Sequence, residues 1–139
     1  MPNHWILKSD ADSYGFDQLL RDGRTTWDGV SNPVALKHIR SMVPGDRLLI
    51  YHSGAGKELV GLARVVSSPY QDPKQKDSKL AVVDIEVDRR LPRTVSLKAI
   101  KAEPGFAELP LVRMPRLSVI PVPEDQWKKL LAMAGALPE

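Results

Sequence analysis

The stretch that decides the fold is DRLLIYHSGAGKELVGLARVVS, residues 46–67, in which a glycine-rich segment separates two apolar ones. Residues 46–53 predict a strand, because their side chains alternate between two faces with a period of two. One face carries Leu48, Ile50 and His52, and the other carries Leu49, Tyr51 and Ser53. Residues 54–57 then predict a turn and residues 59–67 a returning strand, so the stretch predicts a β-hairpin.

Outward from this hairpin, short predicted strands alternate with short predicted helices. Strands are expected at 1–9, 80–87 and 117–122, with a short extended segment at 25–30. Helices are expected at 13–22, 33–43, 95–102 and 123–134, and exposed or irregular segments at 72–79 and 111–116. This order predicts an α+β fold, a small mixed β-barrel flanked by short helices. A chain of 139 residues suits a single domain over 1–139.

The helix ends carry recognisable capping signals. Ser13 is placed to cap the first helix and Gly23 to end it. Asn32 followed by Pro33 predicts the N-cap and the first position of the second helix. Val43 is expected on the buried face of that second helix.

Composition narrows the class of protein. The chain has no cysteine, so neither disulfides nor thiolate zinc sites are available. The net charge is +3 and the pI is about 9.3, a mildly basic balance that suits phosphate-rich partners. No signal-peptide pattern and no apolar run of about 20 residues is present. We therefore expect a soluble, cytoplasmic protein without a membrane partner.

The glycine-rich segment does not fit a phosphate-binding P-loop. That motif needs a glycine five positions before the Gly-Lys pair and a serine or threonine after the lysine. Tyr51 and Glu58 occupy those two positions, and a strand follows where a helix would be required. The segment at 54–57 is better explained as a hairpin turn.

No arrangement of residues predicts catalysis or metal binding. The three histidines are scattered along the chain, without a metal-ligand spacing. His52 and Ser53 are neighbours in a strand, so they point to opposite faces and cannot share a proton. Asp84 and Glu86 lie on the solvent face of a predicted strand. We expect no catalytic residue, no metal and no cofactor.

Several short motifs occur along the chain in a fixed order. They are Trp5–Ser9 (WILKS), Trp27–Asn32 (WDGVSN), Gly45–Asp46, Tyr51–Ser53 (YHS), Val60–Val66 (VGLARVV), Tyr70–Pro73 (YQDP), Arg116–Val122 (RLSVIPV) and Trp127. In this combination the chain resembles the EVE domain family, whose members are similar to the PUA barrel and related to the YTH readers of methylated adenine. The resemblance covers essentially the whole chain.

The resemblance implies a non-enzymatic module that holds a modified or flipped nucleobase, in DNA or RNA, in a pocket at the barrel edge. The implied pocket residues are Lys8, Ser9, Trp27, Val30, Asn32, Tyr51, His52, Ser53, Leu117 and Ser118. Arg116 also matches the family's motifs. As cations, Lys8, Arg113 and Arg116 are candidates for phosphate contacts. Three positions depart from the family pattern: Ser31 replaces an arginine, Gln71 a proline and Leu80 a tryptophan.

Each implied site residue also has a purely structural interpretation. Trp27 is the best candidate for stacking on a base, although it can instead pack the barrel edge. Asn32 can read a base edge or only cap its helix. Tyr51 and Ser53 share a strand face that can line the pocket, whereas His52 on the other face can be interior filling. Trp5 and Trp127 are assigned to the core, and the lysines at 74, 76 and 79 to a soluble loop.

Two alternatives to the nucleic-acid reader stay open at this stage. A pocket for a nucleotide or metabolite, without a polymer partner, would lack a surrounding basic path. An enzyme would need a catalytic constellation, which the sequence does not offer. The protein is expected to act as a monomer.

Overall fold

In the computed structural model, residues 3–54, 56–77 and 79–136 are described, and they form a curled half-barrel sheet with short helices. The strands are β1 (His4–Asp10), β2 (Arg24–Trp27), β3 (Arg47–Ser53), β4 (Glu58–Val65), β5 (Tyr70–Gln71), β6 (Ala81–Ser96) and β7 (Val119–Pro121). The helices are α1 (Ala11–Tyr14), α2 (Phe16–Asp22), α3 (Pro33–Ser41), α4 (Leu97–Lys101), α5 (Pro110–Arg113) and α6 (Glu124–Met133), with a 3-10 turn at Pro104–Phe106. The predicted α+β fold with a barrel-like sheet and short helices is confirmed, and the sheet curls into a half-barrel.

The strands follow the order β2-β6-β4-β3-β1-β7, and β5 pairs with β6 outside this path. β1 runs parallel to β3, whereas the other pairings are antiparallel. The β4–β6 pairing shifts register twice, between Leu59 and Gly61 and between Leu62 and Ala63. Such irregularities increase local twist and bend a strand, which lets the 16-residue β6 curl with the sheet.

Helices cover both faces of β1. The ring of His4 stacks on Trp127 of α6 with centroids 4.6 Å apart, while the ring of Trp5 meets His38 of α3 at 5.6 Å. Neighbouring strand residues point to opposite faces, so α6 and α3 lie on opposite sides of the sheet. Trp5 and Trp127 are both buried, as predicted. The core therefore lies in two layers, one on each side of β1.

The carboxylate of Asp46 is fully buried and ties three segments together. Its Oδ2 accepts hydrogen bonds from Trp5 Nε1 at 2.9 Å and from the amide of Val43 at 3.1 Å, and its Oδ1 accepts from the amide of Asn3 at 2.9 Å. These donors come from the start of the chain and from the turn after α3. A buried carboxylate needs such donors, because burial without them is costly. Asp46 thereby fixes the start of β3 beside β1.

A close approach of α2 to the sheet depends on Gly61. A methyl group added there would overlap the ring of Phe16, which is fully buried. Gly61 pairs with Ile50 in β3, so the ring of Phe16 covers the centre of the hairpin. The absence of a side chain at Gly61 creates the space that α2 occupies.

Two predicted helix caps are confirmed. Asn32 Oδ1 accepts from the amides of Val34 at 2.9 Å and Ala35 at 3.1 Å, and Pro33 opens α3. Gly23 has a φ of 76°, and its amide donates to the carbonyl of Leu19 at 2.8 Å, which ends α2.

Other predictions at the helix and strand ends were wrong. Asp10, rather than Ser13, caps the first helix by accepting from the amide of Asp12, and the chain breaks at Gly15 into α1 and α2. Val43 is exposed; Met42, the cap residue after α3, is buried in its place because α3 ends at Ser41. Residues 110–113 form α5 within a segment predicted to be irregular.

Strand lengths also differ from the predicted ones. β6 continues to Ser96, well beyond the predicted end at residue 87, and β7 is shorter than the predicted 117–122. Residues 1–2 of the first predicted strand, Ala55 of the predicted turn and Ser78 of the predicted loop lie outside the described residues.

We expect Asp46→Asn to lower the free energy of unfolding by about 3 kcal/mol, since it replaces one acceptor with an amide donor facing buried donors. Chemical denaturation measures this loss. Asp88→Asn is the matched control, because Asp88 pairs with Arg47 near the surface at 3.2 Å, and such pairs contribute about 0–1 kcal/mol. Equal losses in the two variants would contradict the role of Asp46.

We expect Gly61→Ala to cost about 1–3 kcal/mol of stability, because the added methyl group must displace Phe16. Combining it with Phe16→Leu should cost less than the sum of the two single changes, as a shared steric cause requires. Gly105→Ala serves as the control, since its methyl group meets only the flexible end of Lys129. Additive losses in thermal unfolding would rule out the clash.

Candidate functional site

A cleft of about 530 Å³ opens beside β2, the strand at one end of the sheet. Its lining residues, which define the Trp27 cleft, are Ser9, Ser13, Tyr14, Thr25, Thr26, Trp27, Asp28 and Lys74. They come from the end of β1, from α1, from β2 and from the loop after β5. The cleft therefore lies at the edge of the half-barrel and brings together Ser9 and Trp27, two of the predicted pocket residues.

Hydrogen bonds hold the walls of the Trp27 cleft in place. Ser9 Oγ donates to the carbonyl of Tyr14 at 2.5 Å, and the hydroxyl of Tyr14 donates to Asp22 at 2.7 Å. The rings of Tyr14 and Trp27 meet edge to face with centroids 6.3 Å apart. Burial, followed by the hydrogen bond to Asp22, raises the pKa of Tyr14, so its hydroxyl stays protonated at neutral pH.

Trp27 lines the cleft and is at the same time part of the core. It ends β2, pairs with Val83 of β6 and is 8% exposed. The sequence left open whether Trp27 stacks on a base or packs the barrel edge; the indole packs against buried residues and leaves only a margin at the cleft. Trp27 therefore packs in the core and also borders the cleft.

The half-buried Lys8 and the buried Tyr51 form a pair at the end of β1. They are register partners in the parallel pairing of β1 with β3, and the Lys8 ammonium lies 5.6 Å from the Tyr51 ring centroid. Lys8 Nζ also donates to the carbonyl of Pro115 at 2.9 Å. Burial lowers the pKa of Lys8 and raises that of Tyr51. Tyr51 is almost fully buried in the core, and the Lys8 cation lies beside its ring.

A second, largely apolar cleft of about 340 Å³ lies on the other side of Lys8. It is lined by Asn32, Val34, Met114, Pro115, Arg116 and Leu117, three of which were predicted site residues. The cap bonds occupy Oδ1 of Asn32, while its amide nitrogen makes no hydrogen bond to the described residues. Arg116 forms no ion pair within the same ranges.

The two clefts border consecutive residues at the end of β1. Ser9 lines the first one, and the side chain of its neighbour Lys8 bonds to the carbonyl of Pro115, which lines the second. The backbone of Ser118 also contacts the end of β1, because its carbonyl accepts a hydrogen bond from the amide of Lys8 at 2.9 Å.

Besides Lys8, Tyr51 and Ser118, four predicted site residues line neither of these two clefts. Val30 lines a separate small cavity of about 150 Å³. His52 Nε2 accepts from the amide of Phe16 at 3.0 Å and so orders α2, and Ser53 pairs with Asp10 at the end of β1. Arg113 forms an ion pair with Glu108.

The departures from the family pattern lie together. Ser31 and Leu80 line the small cavity that contains Val30. Gln71 ends β5, which pairs with the start of β6. All three therefore lie around the entry to β6, next to the loop that brings Lys74 to the Trp27 cleft.

Sequence reasoning missed Tyr14, Thr25, Thr26 and Asp28 as cleft residues and did not assign Lys74 to the pocket. Tyr14 carries the one signal that was available, an aromatic ring five residues after Ser9 in a polar segment. Lys74 is 47 residues from Trp27 in the sequence, so only the folded chain brings them together.

A further cavity contains none of the predicted site residues. It has a volume of about 760 Å³ and lies between β1, β7 and the starts of α5 and α6, and its lining includes Asn3, His4, Trp5, Glu108, Leu109 and Pro110. Within the described ranges, no group of three His, Asp or Glu residues could hold a metal ion. No helix of the described chain is long and apolar enough to cross a bilayer.

Comparisons with known proteins agree on one family. The EVE domain matches residues 3–133. A Rhodopseudomonas palustris protein, solved by NMR, is 39% identical, has a TM-score of 0.93, and is matched over 99% of this chain and 96% of that one. Thymocyte nuclear protein 1 from Rattus norvegicus is 27% identical over 172 residues, which cover 99% of this chain and 76% of that protein.

Two structures of complexes share the fold. The human THYN1 protein in complex with DNA containing 5-methylcytosine has a TM-score of 0.86 at 24% identity, with 98% of this chain and 99% of that chain covered. A YTH domain of the Zygosaccharomyces rouxii MRB1 protein, in complex with N6-methyladenosine RNA, has a TM-score of 0.60 at 15% identity, with 96% and 86% covered. The predicted relation to YTH domains is confirmed for the fold. The chain therefore belongs to the EVE domain family.

Proposed function

We propose that this chain is a non-enzymatic module that binds nucleic acid and receives a modified or flipped nucleobase in the Trp27 cleft. The observation that carries the proposal is the convergence of Trp27, Tyr14 and Ser9 on one cleft of about 530 Å³. Binding sites for small groups commonly have about 300–1,000 Å³ and combine apolar walls with a few fixed polar groups. The cleft has this size, and its lining is mainly polar, with Trp27 and Tyr14 as its aromatic residues.

Aromatic walls supply the energy that base extraction requires. Removing a base from its stack costs a few kcal/mol, and stacking on an aromatic side chain returns about 1–3 kcal/mol. Trp27 is fixed by the core and by its edge-to-face contact with Tyr14, so it loses little freedom when a base arrives. A methyl group on the base adds apolar area, worth about 25 cal/mol per Å² buried. Selectivity for a modification then depends on the shape of the cleft.

Polar groups in the cleft can read the edge of a base. The carboxylate of Asp28 can accept from the exocyclic amino group of cytosine or adenine, as acidic side chains do in base recognition. Ser9 Oγ donates to the Tyr14 carbonyl and so retains acceptor capacity. Lys74 supplies a cation for a phosphate at the rim. These groups favour a base that carries an amino group.

The related proteins support the same ligand class. The human THYN1 structure contains DNA with 5-methylcytosine, and the YTH structure contains RNA with N6-methyladenosine. Both modified bases carry an added methyl group that the aromatic residues of the cleft can contact. This chain shares the family with the first protein and the fold with the second.

The cleft suits binding better than catalysis. Its lining contains no histidine, and the hydroxyl of Ser9 donates to a backbone carbonyl rather than to a general base. We further propose that the chain acts as a single domain, as a monomer and in the cytoplasm.

We expect titrations with unmodified and methylated oligonucleotides, single- and double-stranded, DNA and RNA, to show a preference for one modified base. Trp27→Leu should remove that preference at a cost of about 1–3 kcal/mol, because leucine keeps apolar volume but offers no stacking face. Trp27→Phe should retain part of it. Thermal unfolding checks that the variants fold. No binding of the wild type to any polymer at low salt would reject the proposal and favour a small-molecule ligand.

Two lysines of one loop can test whether Lys74 contacts the ligand at the cleft or whether the loop only attracts nucleic acid by its charge. Lys74 lines the cleft, whereas Lys76, two residues later, does not. Lys74→Gln and Lys76→Gln remove the same charge from the same exposed loop. We expect Lys74→Gln to weaken binding of the preferred oligonucleotide several-fold more than Lys76→Gln. Equal effects would show that the loop contributes only long-range charge.

A further inference from the structure

A positively charged cleft lies at the β3–β4 hairpin. It has a volume of about 390 Å³ and is lined by Gly56, Lys57, Ser96, Leu97, Lys98 and Lys101, which define the lysine cleft. Its three lysines are exposed, and none forms an ion pair within the described ranges. Lys128 and Lys129 of α6, by contrast, pair with Glu124 at 3.5 Å and Glu103 at 3.1 Å. The lysine cleft thus concentrates positive charge that the fold does not neutralise.

The backbone holds these lysines together. The amide of Leu97 donates to the carbonyl of Lys57 at 2.9 Å, which fixes the hairpin against α4. Lys57 has a φ of 44° and is the one non-glycine residue with a positive φ among those described. Glycine or asparagine would adopt this conformation at lower cost. A strained lysine at an unpaired, exposed position points to a use for its charge.

Ser96 adds a neutral donor to the lysine cleft. Its Oγ accepts from the amide of Ala99 at 3.1 Å, and its hydroxyl proton has no acceptor within the described ranges. A hydroxyl can donate and accept at once, so Ser96 can donate to an anion between the lysines. Hydroxyl and ammonium donors together are typical of contacts to backbone phosphates.

The position of the lysine cleft relates it to the Trp27 cleft. Gly54, in the same hairpin, lies against the carboxylate of Asp10. Asp10 ends β1 and caps α1, whose Ser13 and Tyr14 line the Trp27 cleft. The end of β1 therefore adjoins both the hairpin that carries Lys57 and the α1 residues that line the Trp27 cleft.

We propose that the lysine cleft binds backbone phosphates of the nucleic acid whose base enters the Trp27 cleft. This inference rests on the proposed function and adds a defined path for the strand. The glycine-rich hairpin does not have the helix that a P-loop needs, so a single nucleotide triphosphate is a poor fit. Three lysines spread across a hairpin and a helix instead match phosphates repeated along a chain. Such contacts position a strand without reading its sequence.

The salt dependence of binding tests this proposal. For duplex DNA, the slope of log K against log salt is about 0.9 for each phosphate neutralised. Lys98→Gln/Lys101→Gln should therefore reduce the slope by about 2 and weaken binding to modified and unmodified duplexes equally. The matched control, Lys128→Gln/Lys129→Gln, removes the same charge from another helix and should leave the slope near that of the wild type. Lys98→Arg/Lys101→Arg should restore the slope.

The variant Lys57→Asn tests the charge of Lys57 separately from any effect on folding. Asparagine tolerates the positive φ, so the melting temperature should stay equal or rise, while the slope falls by about 1. Identical slopes for the wild type and the variants of both helices would overturn the proposal, as would a wild type that binds no nucleic acid at low salt. A reduced slope without any preference for a modified base would retain the phosphate path and reject the base reader. A preserved preference for the modified base with an unchanged slope would retain the base reader and reject the phosphate path.

Discussion

The buried carboxylate of Asp46 is the constraint on which the rest of the structure depends. It collects donors from Asn3, Trp5 and Val43, and so aligns the start of β3 with β1 in a parallel pair. A parallel pair requires a long crossover connection, here residues 11–46, and this connection contains α1, β2 and α3. Most of the Trp27 cleft is built from that crossover. By holding β3 beside β1, Asp46 therefore also fixes the ends of the connection that supplies most of the Trp27 cleft.

The parallel register places groups of different chemistry next to each other. Lys8 lies beside Tyr51 and Ser9 beside His52, on alternate faces of the same strand ends. The cation of Lys8 is therefore held between an aromatic ring and the carbonyl of Pro115, whereas Ser9 supports Tyr14. Such packing fixes the walls of the clefts before a ligand arrives, which reduces the entropy that binding must overcome.

Local signals predicted much of this fold, and long-range contacts explain what they missed. The hairpin, the Asn32 cap and the Gly23 stop follow from neighbouring residues, whose preferences act within a few positions. The full length of β6 does not, because its polar second half is held by register with β4 rather than by an apolar pattern. The residues Ser9 and Trp27 came from a family resemblance, and the structure brings them into one cleft. Tyr14 and Lys74 join them only through tertiary contacts that no local pattern encodes.

In the function proposed above, the Trp27 cleft and the lysine cleft make two contributions to binding that respond differently to salt. Stacking on Trp27 and hydrogen bonds to Asp28 or Ser9 act at short range in a partly buried site, so salt affects them little. Contacts from the unpaired lysines at 57, 98 and 101 release counterions and weaken as salt rises. Because the phosphate term is common to every sequence, it changes total affinity without changing the ratio between modified and unmodified bases. A module with this division can hold nucleic acid loosely along its backbone while a single base decides whether it stays.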